Sequence, residues 1–475
     1  MPIQHYFLQG NEQTSLLKPV ETQLRAGRFR AIERRSSDFF SRIRSISDAS
    51  THHGQNSWLN QPSRTSLRKV LGSFISRHLI LTALPCAVVL LWCSIPFPKS
   101  PESTSQHSAK STAINFWFFL FIYYGFYNLV GLLWITKLFN LYSLNWWPPS
   151  LGGAVSYFLF WSLSVVLGAV IYLVTGLEKY TLTWVLLTFV TMVCPIVAAF
   201  IMLLKARRFT TSGIIADQVF EESYGGRGVP ASYLRFLWFC TAVILALVTF
   251  VLGETYAWIY FSTLPHSNID ALLYVYSWVG TIHLLDGLTG WILSNRVENY
   301  PIIFAFKFYY SLTYQIYVRN LYARLRSPEQ FLIVQLASFV GVVILSPLQM
   351  TCWAHKLMKI VTNSSSDLED YRHLVGRSFF LRNLAENVTM VSFLGWVSIL
   401  HFGGNRLVYP YFSFEETTDR YTYNLTFYAS LVIWVSELVS SFITRYIMRR
   451  VFKHNVTEEA MKDFERYPDL LPCSM

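Results

Sequence analysis

Apolar residues along this chain fall in long blocks rather than in the short alternations of a water-facing domain. About ten blocks have the roughly 20-residue length that crosses a bilayer as a helix. They lie near 79–97, 114–135, 151–174, 181–204, 236–261, 269–294, 302–318, 329–350, 384–402 and 425–447. In hydrocarbon a backbone must satisfy its own hydrogen bonds, so such blocks become helices. The pattern predicts an all-α, polytopic transmembrane bundle over 78–475, with a short cytoplasmic tail at 448–475. It is preceded by a polar, mostly disordered basic tail over 1–77. No signal peptide precedes the first block.

The block at Ile269–Ser294 organises the reading. It carries His283 and Asp286 near its middle, three residues apart and so on one helix face. Gly280 and Gly287, with Gly290 close by, predict a face against which another helix packs closely.

Composition strengthens the membrane reading. The chain has 475 residues, 53% hydrophobic and 14% charged, against roughly 25% charged in soluble domains. The net charge of +11 lies beside apolar blocks, which fits membrane topology and not nucleic acid. Twelve Lys/Arg against five Asp/Glu fall in residues 1–77. There Phe39, Phe40, Ile43 and Ile46 space like one helix face beside Arg42 and Arg44, a basic patch suited to anionic lipid.

Lys/Arg counts set the orientation. Ten passes with the N-terminus inside put 30 of the 39 Lys/Arg inside and 8 outside, with Lys307 within a span. Both termini are then cytoplasmic, in a plasma or internal membrane. The seventh block is the weak point. It is short, rich in tyrosine and holds Lys307; the alternative is a helix lying on the inner surface. Pro195 and Pro347 are candidate helix breaks.

Titratable residues are unevenly placed. The first four blocks hold no Asp, Glu, His, Lys or Arg between their ends. The later blocks hold Glu254, His283, Asp286, Lys307, Arg382, Glu386 and Glu437. Ionisable groups at membrane depth are costly and mark ion or proton pathways. The candidate polar site is therefore His283, Asp286 and Glu437, with Glu254. Each has a plainer role: Glu254 reaching the outer interface, Asp286 pairing with His283, Lys307 reaching the headgroups, and Arg382 with Glu386 forming an i, i+4 pair.

The six cysteines show no metal-ligand spacing, and no cofactor, metal, phosphate-loop or catalytic motif is present. An enzyme ranks lowest. The leading reading is a transporter or permeation pathway for a small solute or ion. Its rivals are a passive or lipid-handling pore, and a receptor or scaffold working through the tail and the 205–235 loop. Near the C-terminus, Asn455–Glu458 reads as a helix start, and Tyr467–Leu470 has the form of a sorting signal.

Overall fold

Each of the ten apolar blocks is a helix in the computed structural model. It describes residues 71–98, 115–141, 154–175, 177, 180–210, 231–262, 268–297, 299–322, 328–362, 367–405, 423–467 and 470–471. The tail patch at Phe39–Ile46 and the loop residues 211–230 lie outside these. The described residues belong to one unit, Pro62–Met475, and contain no strand.

Helix α1 spans Phe74–Cys93. α2 begins at Phe116, passes through a π-helical stretch at Phe119–Gly125 and continues over Phe126–Leu141. α3 is Ala154–Val174, α4 Thr181–Thr210, α5 Ala231–Ser262 and α6 Asn268–Ile292. α7 is Tyr300–Tyr322, α8 Pro328–Gln349 and α9 Cys352–Thr362. α10 is Leu368–Phe402, α11 Tyr423–Val451 and α12 Val456–Arg466.

Contacts fix the direction in which each helix runs. Rings pair Trp92 with Phe126 and Phe97 with Phe118, so α1 and α2 are antiparallel. The Tyr309 hydroxyl reaches the Ala246 carbonyl and Tyr317 reaches Glu254, so α5 and α7 are parallel. Lys307 meets Asp286 while Tyr317 packs on Trp278, so α6 opposes α7. Arg377 over Tyr300 and Gln315 on Glu386 make α7 and α10 parallel. α11 opposes α10 through Asn383–Ser441 and Ser398–Tyr423.

By length and composition, six helices among the described residues can cross a membrane: α1 to α5 and α11. A seventh is added if α8 and α9, bent by 79° at their junction, are one broken span. The outward faces carry exposed Leu91, Val174 and Phe442. In water such faces would be an aggregation hazard; in lipid they are simply solvated. Membrane association therefore stands on several apolar helices in a bilayer environment.

α7 is no surface helix. Phe304, Phe306, Phe308, Tyr310 and Arg319 are all buried, among neighbours from α5, α6 and α10. The helix also runs on to Tyr322, past the predicted end of the block at 318, so Arg319 lies in the bundle and not in the connection after it.

Among the described residues, nothing packs closely on the predicted glycine face of α6. Cβ atoms built at Gly280 and Gly287 would meet nothing within 4 Å, and at Gly290 only the tip of Lys307. Close approach occurs instead at Gly253 of α5, where a Cβ would overlap the Tyr317 ring. Pro195 leaves α4 continuous, whereas α8 does end two residues after Pro347.

The C-terminal segment is not a loose tail. α12 docks on the N-terminal ends of α7 and α10, with Phe464 edge-on to Phe304, Tyr467 stacked on Tyr300 and Asp463 bonded to Arg377. Leu470 is fully buried and Tyr467 partly so; Pro468 and Asp469 of the tyrosine-based sorting pattern lie outside the described residues. Asn455 precedes α12 as expected, but its side chain bonds Glu458 Oε2 and no backbone N–H.

Candidate functional site

α7 carries a polar row at every fourth residue: Lys307, Ser311, Gln315 and Arg319. In a helix that spacing follows one inclined ridge. Neighbouring helices bring a carboxylate to several of its steps, and Tyr317, just off the row, takes another.

At the lower step, Lys307 Nζ lies 2.5 Å from Asp286 Oδ2, with both side chains about three-quarters buried. At the upper step, Arg319 Nη2 lies 2.7 Å from Glu437 Oε2. The Arg319 side chain is only 4% exposed, so the pair is well removed from solvent. Arg319 also donates through Nε to Thr389 Oγ1 at 3.2 Å and through Nη2 to the Glu386 carbonyl at 3.3 Å. Between these steps, Gln315 Nε2 donates to Glu386 Oε1 at 3.3 Å, and Arg382 Nε donates to the same oxygen at 2.9 Å. Tyr317 donates its hydroxyl to Glu254 Oε1 at 2.9 Å.

The network continues along α10 and α11. Asn383 Nδ2 donates to Ser441 Oγ at 2.5 Å, and Arg445 Nη2 bonds Asn383 Oδ1. Trp434 Nε1 donates to Asn387 Oδ1 at 3.0 Å. Asn387 is thus engaged inside the bundle and unsuited to glycosylation.

Placement of the four sequence candidates follows from this frame. Asp286 pairs with Lys307 and not with His283. Glu437 pairs with Arg319. Glu254 is not simply an outer-interface residue, since it is half-buried and held by Tyr317. His283 lies exposed on the flank of α6, its ring 6.2 Å from that of Tyr314. Lys307 and Arg319 are separated by twelve residues, about 18 Å of helix rise. Asp286 and Glu437 therefore occupy different steps of one ladder.

Sequence reasoning missed Gln315, Tyr317, Arg319, Asn383 and Arg445. The period-four polar row of α7 was a usable signal for Gln315 and Arg319. Asn383 had none, because a neutral amide beside Arg382 reads as an ordinary polar residue at a helix start.

Chemically, the ladder alternates cations and carboxylates joined by hydroxyl and amide groups. Such an arrangement can exchange partners or pass protons with small side-chain movements.

Comparison with known proteins places the whole helical region in one lineage. The SPCC553.12c family model matches residues 63–475. The chain is 42% identical over 417 residues to a Schizosaccharomyces pombe protein described as "Uncharacterized protein C553.12c", covering 86% of this chain and 79% of that one. No solved structure matches.

Proposed function

This chain belongs to the SPCC553.12c family, and for it we propose a ten-pass membrane protein that carries a small solute or ion through its C-terminal half. Three observations support ten passes. All ten apolar blocks are helical, the successive pairs α1–α2, α6–α7 and α10–α11 are antiparallel, and α7 is packed inside the bundle. Moving Arg319 from an outer loop into α7 also removes one of the eight outside basic residues, which strengthens the inside bias.

The observation that carries transport is the α7 ladder. Buried ion pairs rarely repay their desolvation relative to well-packed apolar residues. A packing role alone gives no reason to gather Asp286–Lys307, Glu437–Arg319 and Glu386–Arg382 along neighbouring helices. Coupled transport gives one: substrate or proton binding exchanges a carboxylate's partner, and the helices on either side of α7 respond.

The test is flux in proteoliposomes containing an internal pH dye, under an imposed pH gradient. The expected result is proton-linked flux above that of empty vesicles, reduced about tenfold or more by Glu437→Gln or Asp286→Asn in folded protein. Flux no greater than in empty vesicles across a broad solute panel sinks the proposal.

One observation favours the rival reading of a non-transporting receptor or scaffold. Asp286, Glu254, Glu386 and Glu437 each already have a partner within the chain. On that reading the ladder is packing glue, and the same variants keep full biological function.

A further inference from the structure

Outside the ladder, three potential metal ligands meet where α12 docks on α10. We infer that His373, His454 and Glu459 form a divalent-metal site, best suited to zinc, that ties the C-terminal helix to the N-terminal end of α10. His373 Nδ1 lies 2.8 Å from Glu459 Oε2, and His454 Nε2 lies 2.5 Å from the same oxygen. All three ligand atoms fall within 4.8 Å of one another. Two imidazoles and a carboxylate make a donor set that zinc accepts.

Local structure aims His454 into this cluster. The chain reverses after α11 at Lys453, whose φ of 56° is a left-handed conformation that costs a non-glycine residue energy. The next residue is His454, whose N–H returns to the Met448 carbonyl. Its side chain is 3% exposed. Gly376 on α10 makes room for it, since a Cβ there would come 2.6 Å from His454 Nε2. That nitrogen is buried and makes no hydrogen bond: Glu459 is close, but not in hydrogen-bonding alignment. A buried nitrogen without a hydrogen bond, facing a carboxylate and a second imidazole, is what a ligand awaiting a cation presents.

The surroundings fit as well. With Nδ1 of His373 on the metal, its Nε2 points toward Glu369 Oε1, 4.0 Å away. A carboxylate behind a ligating histidine fixes its tautomer and raises its basicity. Glu459 is held in place because α12 is clamped one turn later, where Asp463 Oδ2 accepts from Arg377 and from Tyr300. A tetrahedral zinc with bonds of about 2.0–2.1 Å needs ligand atoms about 3.3 Å apart. Glu459 Oε2, at 2.8 and 2.5 Å, must draw back from both ring nitrogens to reach that separation, and the rings, whose ligand atoms lie within 4.8 Å of one another, must adjust with it. Three protein ligands leave a fourth position for water.

The test uses the full chain, purified in detergent through a tag free of histidine, stripped with EDTA and titrated with zinc sulfate. About one zinc per chain is expected to be retained on desalting, together with a zinc-dependent rise in Tm. His373 is 41% exposed, so His373→Ala removes a ligand without emptying the core; it is expected to lose both retention and the Tm rise. Glu369→Gln keeps every ligand and is expected to weaken zinc roughly tenfold. Background zinc in the wild-type chain, or equal zinc in wild type and His373→Ala, overturns the site and leaves a metal-free His–Glu cluster.

Discussion

The first four helices and the helices around α7 solve the same problem with different chemistry. Among the described residues, the contacts that join α1, α2 and α3 to one another are neutral. Phe116 stacks on Tyr172 at 3.6 Å, Tyr124 bonds Ser164 at 2.9 Å, and Trp161 donates to the Gly125 carbonyl at 2.9 Å. Around α7, ion pairs join it to α6 and α11, and hydrogen bonds to carboxylates join it to α5 and α10. In lipid, helices associate through close packing and interhelical hydrogen bonds, and neutral groups suffice. The second region therefore carries charge beyond what association requires, and that excess is the basis for placing function there.

The largest test of this contrast is Arg319→Met. It leaves Glu437 buried opposite an apolar side chain, and breaking a buried pair costs about 3–5 kcal/mol. Thermal unfolding in detergent should record that loss. The double change Arg319→Met with Glu437→Met should recover most of it, because no lone charge remains. A single variant as stable as wild type would mean that water already reaches Glu437.

Gly253→Ala comes next, at about 1–3 kcal/mol, the usual cost of overpacking. The added methyl group pushes the Tyr317 ring, and with it the hydroxyl that holds Glu254. Pairing this variant with Tyr317→Leu should relieve the clash but leave Glu254 without its donor, so stability and any Glu254-dependent flux should separate.

Tyr124→Phe samples the neutral region. Removing its hydroxyl leaves the Ser164 hydroxyl free to turn, so a loss of about 1 kcal/mol is expected. A loss as large as that of Arg319→Met would erase the difference between the two regions.

Much of this architecture was legible in the sequence because a membrane imposes few choices. Long apolar runs must be helices, so the ten blocks and their approximate ends followed directly. The concentration of titratable groups after α4 was equally plain. Partner choice was not. Asp286 lies three residues from His283, yet it pairs with Lys307, because packing between α6 and α7 decides which groups meet. Arg319 read as a loop residue because it follows a short block and precedes Arg324 and Arg326. Only the depth of α7 in the bundle brings it inside. The His373, His454 and Glu459 cluster was hidden for another reason. Its ligands come from α10, a turn and α12, and no local spacing connects residues about eighty positions apart.

The smallest expected effect belongs to the open face of α6. Gly280 and Gly287 face no other part of the described chain, beside exposed Leu273, Tyr276, Leu284 and Leu288. Gly280→Leu therefore adds a side chain into lipid. In a monomeric micelle its effect should stay within about 0.5 kcal/mol, as for substitutions away from packed features. The same change separates two uses of that face. If lipid alone covers it, the Tm and the oligomeric state read by native mass spectrometry are both unchanged. If a second copy packs its helix into the glycine groove, the leucine side chain blocks that approach and the assembly dissociates, while each chain stays folded. Asp286 answers to Lys307 within the chain, and Gly280 and Gly287 lie roughly 100–120° around the helix from it, so dissociation would place an apolar contact between copies on a separate flank of α6.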